Sequence, residues 1–475
     1  MTRRQNAGSG RRQFLTTAAS AVAATTILPR HVLGGPGFVA PSDKVNVAVI
    51  GVGGQGRSNL RSLFQEDACQ VIAIADPCEE WDLTSFYYGG KAGRGPIRSE
   101  IEDNYREKTP HHACAVYEDF RVMLEKEKAI DAVLVATPDH SHAYISVLAM
   151  KAGKHVYCEK PLTHDIWEAR TVAKVAKETG VATQMGNQGR STEGHRQTAE
   201  WIWDGAIGAV REVHGWGGSS PFATGRGRPQ GTPEVPPGLN WDLWLGPREW
   251  RPYHPAYAPF GWRGYWAFGG GALPDLAIHH LDPAFNALAL DTPQTVEATA
   301  SGGVDAEVVA FGMLVTWRFG ARGTMAPVTV HWYDGGLRPP TPPGIDPDDP
   351  RQRLGEGNSG IIFVGDKGII TCAGWSGMPR LLPIELHREY QRPAKALPRV
   401  EGHHVDWLQA CKGGTPASGN FDYGARLCEF IMLGNVALRA QKVIKWDGPG
   451  MKVVNAPEAD RYLKEPYRAG WELPV

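Results

Sequence analysis

The chain has 475 residues, long enough for two ordinary domains, and its 42% apolar and 21% charged residues are a normal globular balance, so disorder is not the default expectation. Lys and Arg (50) nearly cancel Asp and Glu (51), so no net field gathers a phosphate backbone or an anionic lipid surface, and nucleic acid is not expected as a partner. The cysteines, Cys69, Cys78, Cys114, Cys158, Cys372, Cys411 and Cys428, are odd in number and far apart, with no C-x-x-C pair, which predicts buried thiols.

The chain opens with Arg11-Arg12-Gln13-Phe14-Leu15, an Ala- and Thr-rich stretch from Thr16 to Leu28, and Pro29. This resembles a twin-arginine export signal, which implies the twin-arginine translocation machinery as a partner and a periplasmic or cell-envelope destination. A membrane anchor needs about 20 strongly apolar residues, and this run is shorter and broken by threonines. No A-x-A cleavage site follows, the junction reading Val32-Leu33-Gly34-Gly35. Residues 1–40 are read as signal and linker. That route carries folded proteins, so a cofactor can be loaded before export.

From Val45 to Ile50 a β-branched run leads directly into Gly51-Val52-Gly53-Gly54-Gln55-Gly56 and a helix-compatible segment. Gly51 permits a tight turn, Gly53 lets the backbone approach a pyrophosphate, and Gly56 allows helix to pack closely on strand. The anion would sit at the helix N-terminus, where unpaired N–H groups favour negative charge. A second run, Val71 to Ala75, ends in Asp76, at the distance where an acidic residue binds a ribose hydroxyl. Pro77 follows with no arginine beside it, which favours NAD over NADP. The segment from Tyr87-Tyr88-Gly89-Gly90 to Thr109 exceeds a minimal crossover and reads as surface elaboration or subunit contact. Further runs at Ala132–Ala136, His155–Cys158 and Val181–Met185 alternate with helical patterns, one from Asp165 to Thr179 stopped by Gly180. The expected fold class is α/β, with a doubly wound parallel sheet of Rossmann type over residues 43–189.

Two strand ends carry chemistry: Ala136-Thr137-Pro138-Asp139-His140-Ser141-His142 and Cys158-Glu159-Lys160-Pro161. Both fall at the carboxyl edge where open α/β sheets bind ligands. The candidate cofactor-binding residues are therefore Gly51, Gly53, Gly54, Gln55, Gly56, Asp76, Thr137, Pro138, His140, His142, Glu159, Lys160 and Asn187.

With the glycine loop, these segments closely resemble the Gfo/Idh/MocA family of glucose–fructose oxidoreductases, inositol dehydrogenases and rhizopine-catabolism proteins. In the second half, Gly269-Gly270-Gly271-Ala272-Leu273-Pro274-Asp275-Leu276-Ala277-Ile278-His279 is similar to the family's glycine turn and D-x-x-x-H helix. Gly402-His403-His404-Val405-Asp406-Trp407, Phe421-Asp422-Tyr423 and Leu433-Gly434-Asn435 resemble its exported, sugar-active branch, so the likeness runs from Lys44 to about Asp447. Lys160, Asp275 and His279 are the candidate catalytic residues. Asp275 and His279, four apart on a helix, share a face and can meet on one hydroxyl. His279 fits as base, with Asp275 orienting it and Lys160 stabilising the developing oxyanion; the resemblance equally allows Lys160 to share or own the base role. The family often has glycine two before this histidine, and here Ala277 adds a methyl expected near the substrate.

Residues 190–455 are read as an α+β substrate-binding and oligomerisation domain with a largely antiparallel open sheet, and 456–475 as a tail. Eight of the 16 tryptophans lie between Trp201 and Trp266, in the pattern of either a carbohydrate surface or a core belt. The candidate substrate-binding residues are Arg190, Trp262, Arg263, Tyr265 and His279, with His195 a further candidate lining residue. Short β-like runs occur at Val210–Trp216, Thr295–Ala300, Val308–Trp317, Gly323–Trp332 and Gly360–Thr371, with proline-rich loops at Gly217–Leu239 and Leu337–Asp349. The histidine doublets His111-His112, His279-His280 and His403-His404 carry no H-E-x-x-H or mixed Cys/His cluster, so no metal is expected. The resemblance implies an NAD-dependent oxidoreductase of sugars, glycosides or polyols, and a homo-oligomer. Alternatives are an NAD-dependent redox-neutral glycosidase and a non-catalytic sugar-binding protein.

Overall fold

The apolar runs of the first half are Val-, Ile- and Ala-rich on both faces, the pattern of strands covered by helices on both sides. A computed structural model of the chain, which describes residues 43–106, 113–218 and 226–475, places them in one parallel sheet. Its strands are β1 (Val45–Ile50), β2 (Cys69–Ala75), β5 (Ala115–Tyr117), β6 (Ala132–Val135), β7 (His155–Glu159) and β8 (Thr183–Gly186), in the order β5-β2-β1-β6-β7-β8. A small hairpin, β3 (Trp81–Asp82) with β4 (Lys91–Ala92), lies within the segment after β2. Five strands match the sequence reading; β5 is the sixth, three half-buried residues whose pattern is too short to read.

The covering helices are α1 (Gly54–Leu63), α2 (Arg94–Tyr105), α3 (Phe120–Lys126), α4 (Asp139–Lys151) and α5 (Ile166–Thr179), while α6 (Glu193–Trp203) follows β8 and packs against Asp282–Ala287. Helix α5 shows why the local signals were readable. Asp165 caps it through a side-chain bond from Glu168 N, and Gly180 ends it in the left-handed region at φ +66.

The second layer holds α7 (Trp241–Leu245), α8 (Asp282–Ala287), α9 (Ile384–Glu389) and, after α10 (His403–Cys411), which packs back on β8 with Trp407 in the core of the parallel sheet, α11 (Phe421–Ala440) beside a nine-stranded sheet. That sheet comprises β9 (Val210–Trp216), β10 (Thr295–Ala300), β11 (Met313–Phe319), β12 (Val328–Tyr333), β13 (Gly360–Gly365), β14 (Ile369–Cys372), β15 (Arg380–Leu382), β16 (Ile444–Asp447) and β17 (Lys452–Val453), ordered β15-β14-β13-β9-β12-β11-β10-β16-β17. Every pairing is antiparallel except β9 with β12. The run read as one strand from Gly360 to Thr371 is a hairpin, turning at Asp366-Lys367-Gly368 between β13 and β14. Val308–Trp317 and Gly323–Trp332 start their strands later, at Met313 and Val328.

Helix α11 joins the layers, packing on α5 on one side and β10 on the other, so one continuous core runs from Val133 and Val156 to Val315 and Trp317. The final segment is no loose tail: Trp471 packs against Phe120 and Tyr144, and the Tyr467 hydroxyl bonds Glu168 at 2.5 Å. The cysteines are free thiols, six buried and Cys411 partly so. The twin-arginine segment and His111-His112 lie outside the described residues. Among the described residues no helix is long and apolar enough to cross a membrane.

Candidate active site

The glycine loop between β1 and α1 uses its glycines for different reasons. Gly51 has φ +82, and a Cβ there would stand 2.7 Å from the Ala136 carbonyl oxygen; one on Gly56 would collide with the Gly51 carbonyl. Gly53 has nothing within 4 Å, so its backbone borders open space, as a bound pyrophosphate requires. Asp76 closes β2 with its carboxylate accepting from Val52 N at 2.9 Å and Cys78 N at 2.8 Å, and burial pushes its carboxyl up to about 6. No arginine adjoins Asp76 in sequence, but Arg94 reaches its carbonyl oxygen at 3.0 Å and is ion-paired with Glu79 at 2.8 Å, so its charge is already engaged. The cradle fits a dinucleotide.

A cavity of about 510 Å³, within the range of small-molecule sites, runs from Gly51, Gly53, Gly54, Gln55 and Asp76 past Thr137, Pro138 and Glu159 to Lys160, Asp275 and His279. Lys160 follows β7, and its Nζ donates to Asp275 Oδ1 at 2.5 Å and to the Asp275 carbonyl at 3.0 Å. Arg263 Nε donates to the same Oδ1 at 3.2 Å. The turn Gly269–Gly271 makes this possible: a Cβ on Gly269 would stand 2.7 Å from Arg263 Cα, and Gly271, at φ +74, donates its N–H to the Arg263 carbonyl at 2.9 Å. Burial raises the Asp275 carboxyl, but the Lys160 and Arg263 cations more than offset it and hold it below the ordinary carboxylate range.

Asp275 stands in a π-helical turn, Leu273–Ala277, which gives way to an α turn at Ile278–His280. The carboxylate therefore binds Lys160 and Arg263 rather than orienting the His279 ring, a correction to the i,i+4 reading. Burial, then the Lys160 charge, pushes His279 well below its ordinary value, and its buried Nδ1 has no hydrogen-bond partner. The site thus pairs a fixed ammonium with a neutral imidazole in one cavity. Glu159 braces its floor, its Oε1 accepting from Asn59 at 2.8 Å and Gln188 at 3.0 Å.

Several sequence candidates are placed elsewhere. His140 bonds the Trp244 carbonyl at 3.0 Å, and His142 spans the carbonyls of Pro161 at 2.7 Å and Thr137 at 2.8 Å, so both pin backbone beneath the cavity. Asn187 donates to Ile278 O and to Asp282, tying β8 to the histidine turn; its neighbour Gln188 lines the cavity. Arg190 lies over the Tyr423 ring and bonds Ser418 O, and His195 faces Ser376, all away from the cavity lining. Tyr265 packs edge-on against Tyr257, whereas Trp262 and Arg263 line the cavity. The Ala277 methyl points into the core and leaves the pocket unchanged. Most of the tryptophan cluster is likewise core: Trp241, Trp244, Trp262 and Tyr265 form one buried group, of which Trp244 and Trp262 also reach the cavity.

Other lining residues come from places the sequence reading did not assign to the cleft, among them Tyr87 and Tyr88, whose segment was read as surface elaboration or subunit contact. Asp139 heads α4, and burial pushes its carboxyl up to about 7. Tyr87, Tyr88 and Phe260 form an aromatic strap: Tyr88 covers the place a Gly54 side chain would take, Tyr87 lies tilted against Tyr88 at 4.1 Å, and Phe260 meets Tyr87 edge-on at 5.5 Å. Trp375, half exposed and in the left-handed region at φ +53, sits 5.5 Å from the His279 ring. Its flanking glycines, Gly374 and Gly377, were the one available signal.

Residues 45–187 match a family described as an oxidoreductase family with an NAD-binding Rossmann fold, and residues 222–320 and 387–473 match its C-terminal alpha/beta domain. Inositol 2-dehydrogenase of Rubrobacter xylanophilus is 29% identical over 177 residues, 37% of this chain and 44% of that protein. A glycosyl hydrolase family 109 protein of Stenotrophomonas maltophilia is 31% identical over 170 residues, 36% of this chain and 34% of its own. The matched stretch is thus less than half of each of these relatives. The crystal structure of the WlbA dehydrogenase from Bordetella pertussis, in complex with NADH and UDP-GlcNAcA, shares the fold with a TM-score of 0.56 at 16% identity, over 85% of this chain and 99% of that one.

Proposed function

This chain belongs to the Gfo/Idh/MocA oxidoreductase family, and on that premise we propose that it is an NAD-dependent oxidoreductase acting on a secondary hydroxyl of a sugar, glycoside or polyol, with tightly held cofactor. The observation that carries this reading is the single cavity with the glycine loop at one end and Lys160, Asp275 and His279 at the other. When bound, NAD⁺ supplies the acceptor for the hydride leaving the carbinol carbon.

The chain's own residues handle the proton and the oxygen. The neutral His279 takes the hydroxyl proton, while Lys160, held by Asp275, donates a hydrogen bond to the oxygen as negative charge develops there. Arg263 pairs with the same Asp275 oxygen from the other side and so braces the carboxylate that positions the lysine. Trp262 and Trp375 offer aromatic faces to the C–H surface of a sugar ring.

The test is to denature purified protein, identify released nucleotide, and screen intact protein against free sugars, polyols and glycosides. Reduced-nicotinamide absorbance on adding sugar supports the proposal; no nucleotide and no change with any substrate overturns it. The strap of Tyr87, Tyr88 and Phe260 over the glycine loop favours a second reading, a redox-neutral glycosidase that never releases its cofactor, in keeping with the family 109 relative. Sugar release from a glycoside without net absorbance change distinguishes it.

We also propose export by the twin-arginine route to the periplasm or cell envelope, supported by Arg11-Arg12 and the weakly apolar stretch after them. Retention in the cytoplasm of an Arg11→Lys, Arg12→Lys double variant tests it. A homo-oligomer is proposed on the family resemblance alone, and light scattering of the purified chain tests it.

A further inference from the structure

Away from the cavity, β9 and β12 are the one parallel pair of the large sheet, and their register sets His214 directly beside His331. The two imidazoles stack with centroids 4.8 Å apart and planes 11° from parallel. Glu212, two residues before His214 and therefore on the same face of β9, brings its Oε2 to 3.3 Å from His214 Nε2. One ligand atom from each of the three residues lies within 4.8 Å of the others.

The surroundings orient these groups. The Tyr333 hydroxyl stands 3.1 Å from His214 Nδ1, and the Thr316 hydroxyl 3.0 Å from His331 Nδ1. Each hydroxyl can accept the Nδ1 proton, which leaves the Nε2 lone pair of both rings directed outward, the arrangement that outer partners impose on metal-binding histidines. In the other tautomer His214 Nε2–H donates to the Glu212 carboxylate at 3.3 Å; a divalent ion takes the place of that proton between the two groups. Two imidazoles and one carboxylate, with the remaining position open to water beside the half-exposed Glu212, suit a borderline transition ion.

We propose that Glu212, His214 and His331 form a zinc-class metal site that pins β9 to β12, independent of the reaction in the cavity. The sequence hides it because α7, α8, β10 and β11 all lie between His214 and His331, which belong to none of the doublets. Closure requires the two rings to tilt out of their parallel stack as well as draw in, since zinc–nitrogen bonds are about 2.0–2.1 Å and lie in the plane of each ring.

The experiment is equilibrium dialysis of chelator-treated, full-length protein against Zn²⁺, with Co²⁺ absorption as a geometric probe. One ion per chain is expected, with a tetrahedral Co²⁺ spectrum and a raised unfolding temperature. His331→Ala is expected to weaken binding at least about tenfold, and Glu212→Gln, a change at an exposed position that leaves the fold intact, to weaken it measurably. Thr316→Val, which removes only the hydroxyl facing Nδ1, should weaken it by a smaller factor. Zn²⁺ binding that is absent in the unaltered chain, or undiminished in both His331→Ala and Glu212→Gln, overturns the proposal.

Discussion

Two turns beside the cavity each carry an aspartate and two histidines, yet they do opposite things. In Asp139-His140-Ser141-His142 the histidines are spent on backbone, with His142 bridging the Thr137 and Pro161 carbonyls. In Asp275 to His280, His280 bonds the Leu276 carbonyl, while His279 keeps a bare Nδ1 in the cavity wall. The aspartates diverge too. Burial lifts Asp139 to about 7, whereas at Asp275 the Lys160 and Arg263 cations overcome the same burial. Composition is no guide to role here; what matters is which side chains the fold turns into the cavity and which charges it pairs.

The sharpest break of this comparison is a pair of histidine variants. His279→Gln is expected to lower kcat by about 10²–10⁴ with little change in unfolding temperature, the usual loss on removing a general base. His142→Ala should do the reverse, costing about 2–4 kcal/mol of stability and leaving kcat within a few-fold. Equal kinetic losses from both, with matched melting curves, would erase the distinction.

The glycine loop allows a similar contrast at one remove. Gly53→Val puts a side chain into open space and is expected to raise the NAD dissociation constant by about tenfold or more at unchanged stability. Gly56→Ala meets the Gly51 carbonyl and should unfold the domain at lower temperature instead. Isothermal titration and scanning calorimetry separate the two.

Smaller effects sharpen the picture at the cavity mouth and floor. Trp375→Gly relieves a left-handed backbone at φ +53 while removing an aromatic face, so the sugar KM should rise about five- to tenfold as stability holds or improves. Asp139 has its carboxyl raised by burial from 3.8 to about 7, so the folded chain binds a proton there that the unfolded chain releases. Stability therefore falls as pH rises across that window, and Asp139→Asn should flatten the fall in a series of melting curves.

Much of the architecture was legible, because its causes are local. Val45–Ile50 with Gly51, Gly53 and Gly56, and the Asp165 cap with the Gly180 stop, announce strand, turn and helix within a few residues. The Gly360–Thr371 hairpin was hidden because Asp366-Lys367-Gly368 interrupts an otherwise continuous β pattern by only three residues. At the site, Lys160, Asp275 and His279 were readable as a set. His140, His142, Asn187 and Arg190 were assigned to the cleft because position at a strand end does not say which way a side chain turns, and Tyr265 because nearness to the glycine turn before Asp275 does not say so either. Trp375 and the Tyr87, Tyr88, Phe260 strap were missed for the converse reason, since long loops bring them in.

The most direct test of the shared cavity is transient absorbance of reduced nicotinamide in Lys160→Met beside the unaltered chain, each saturated with NAD⁺ and mixed with a sugar or polyol that the unaltered chain oxidises. Arg263 still neutralises Asp275 in that variant, so folding and NAD affinity should be retained while the hydride-transfer rate falls by about 10³ or more. An undiminished rate with cofactor bound would contradict the account.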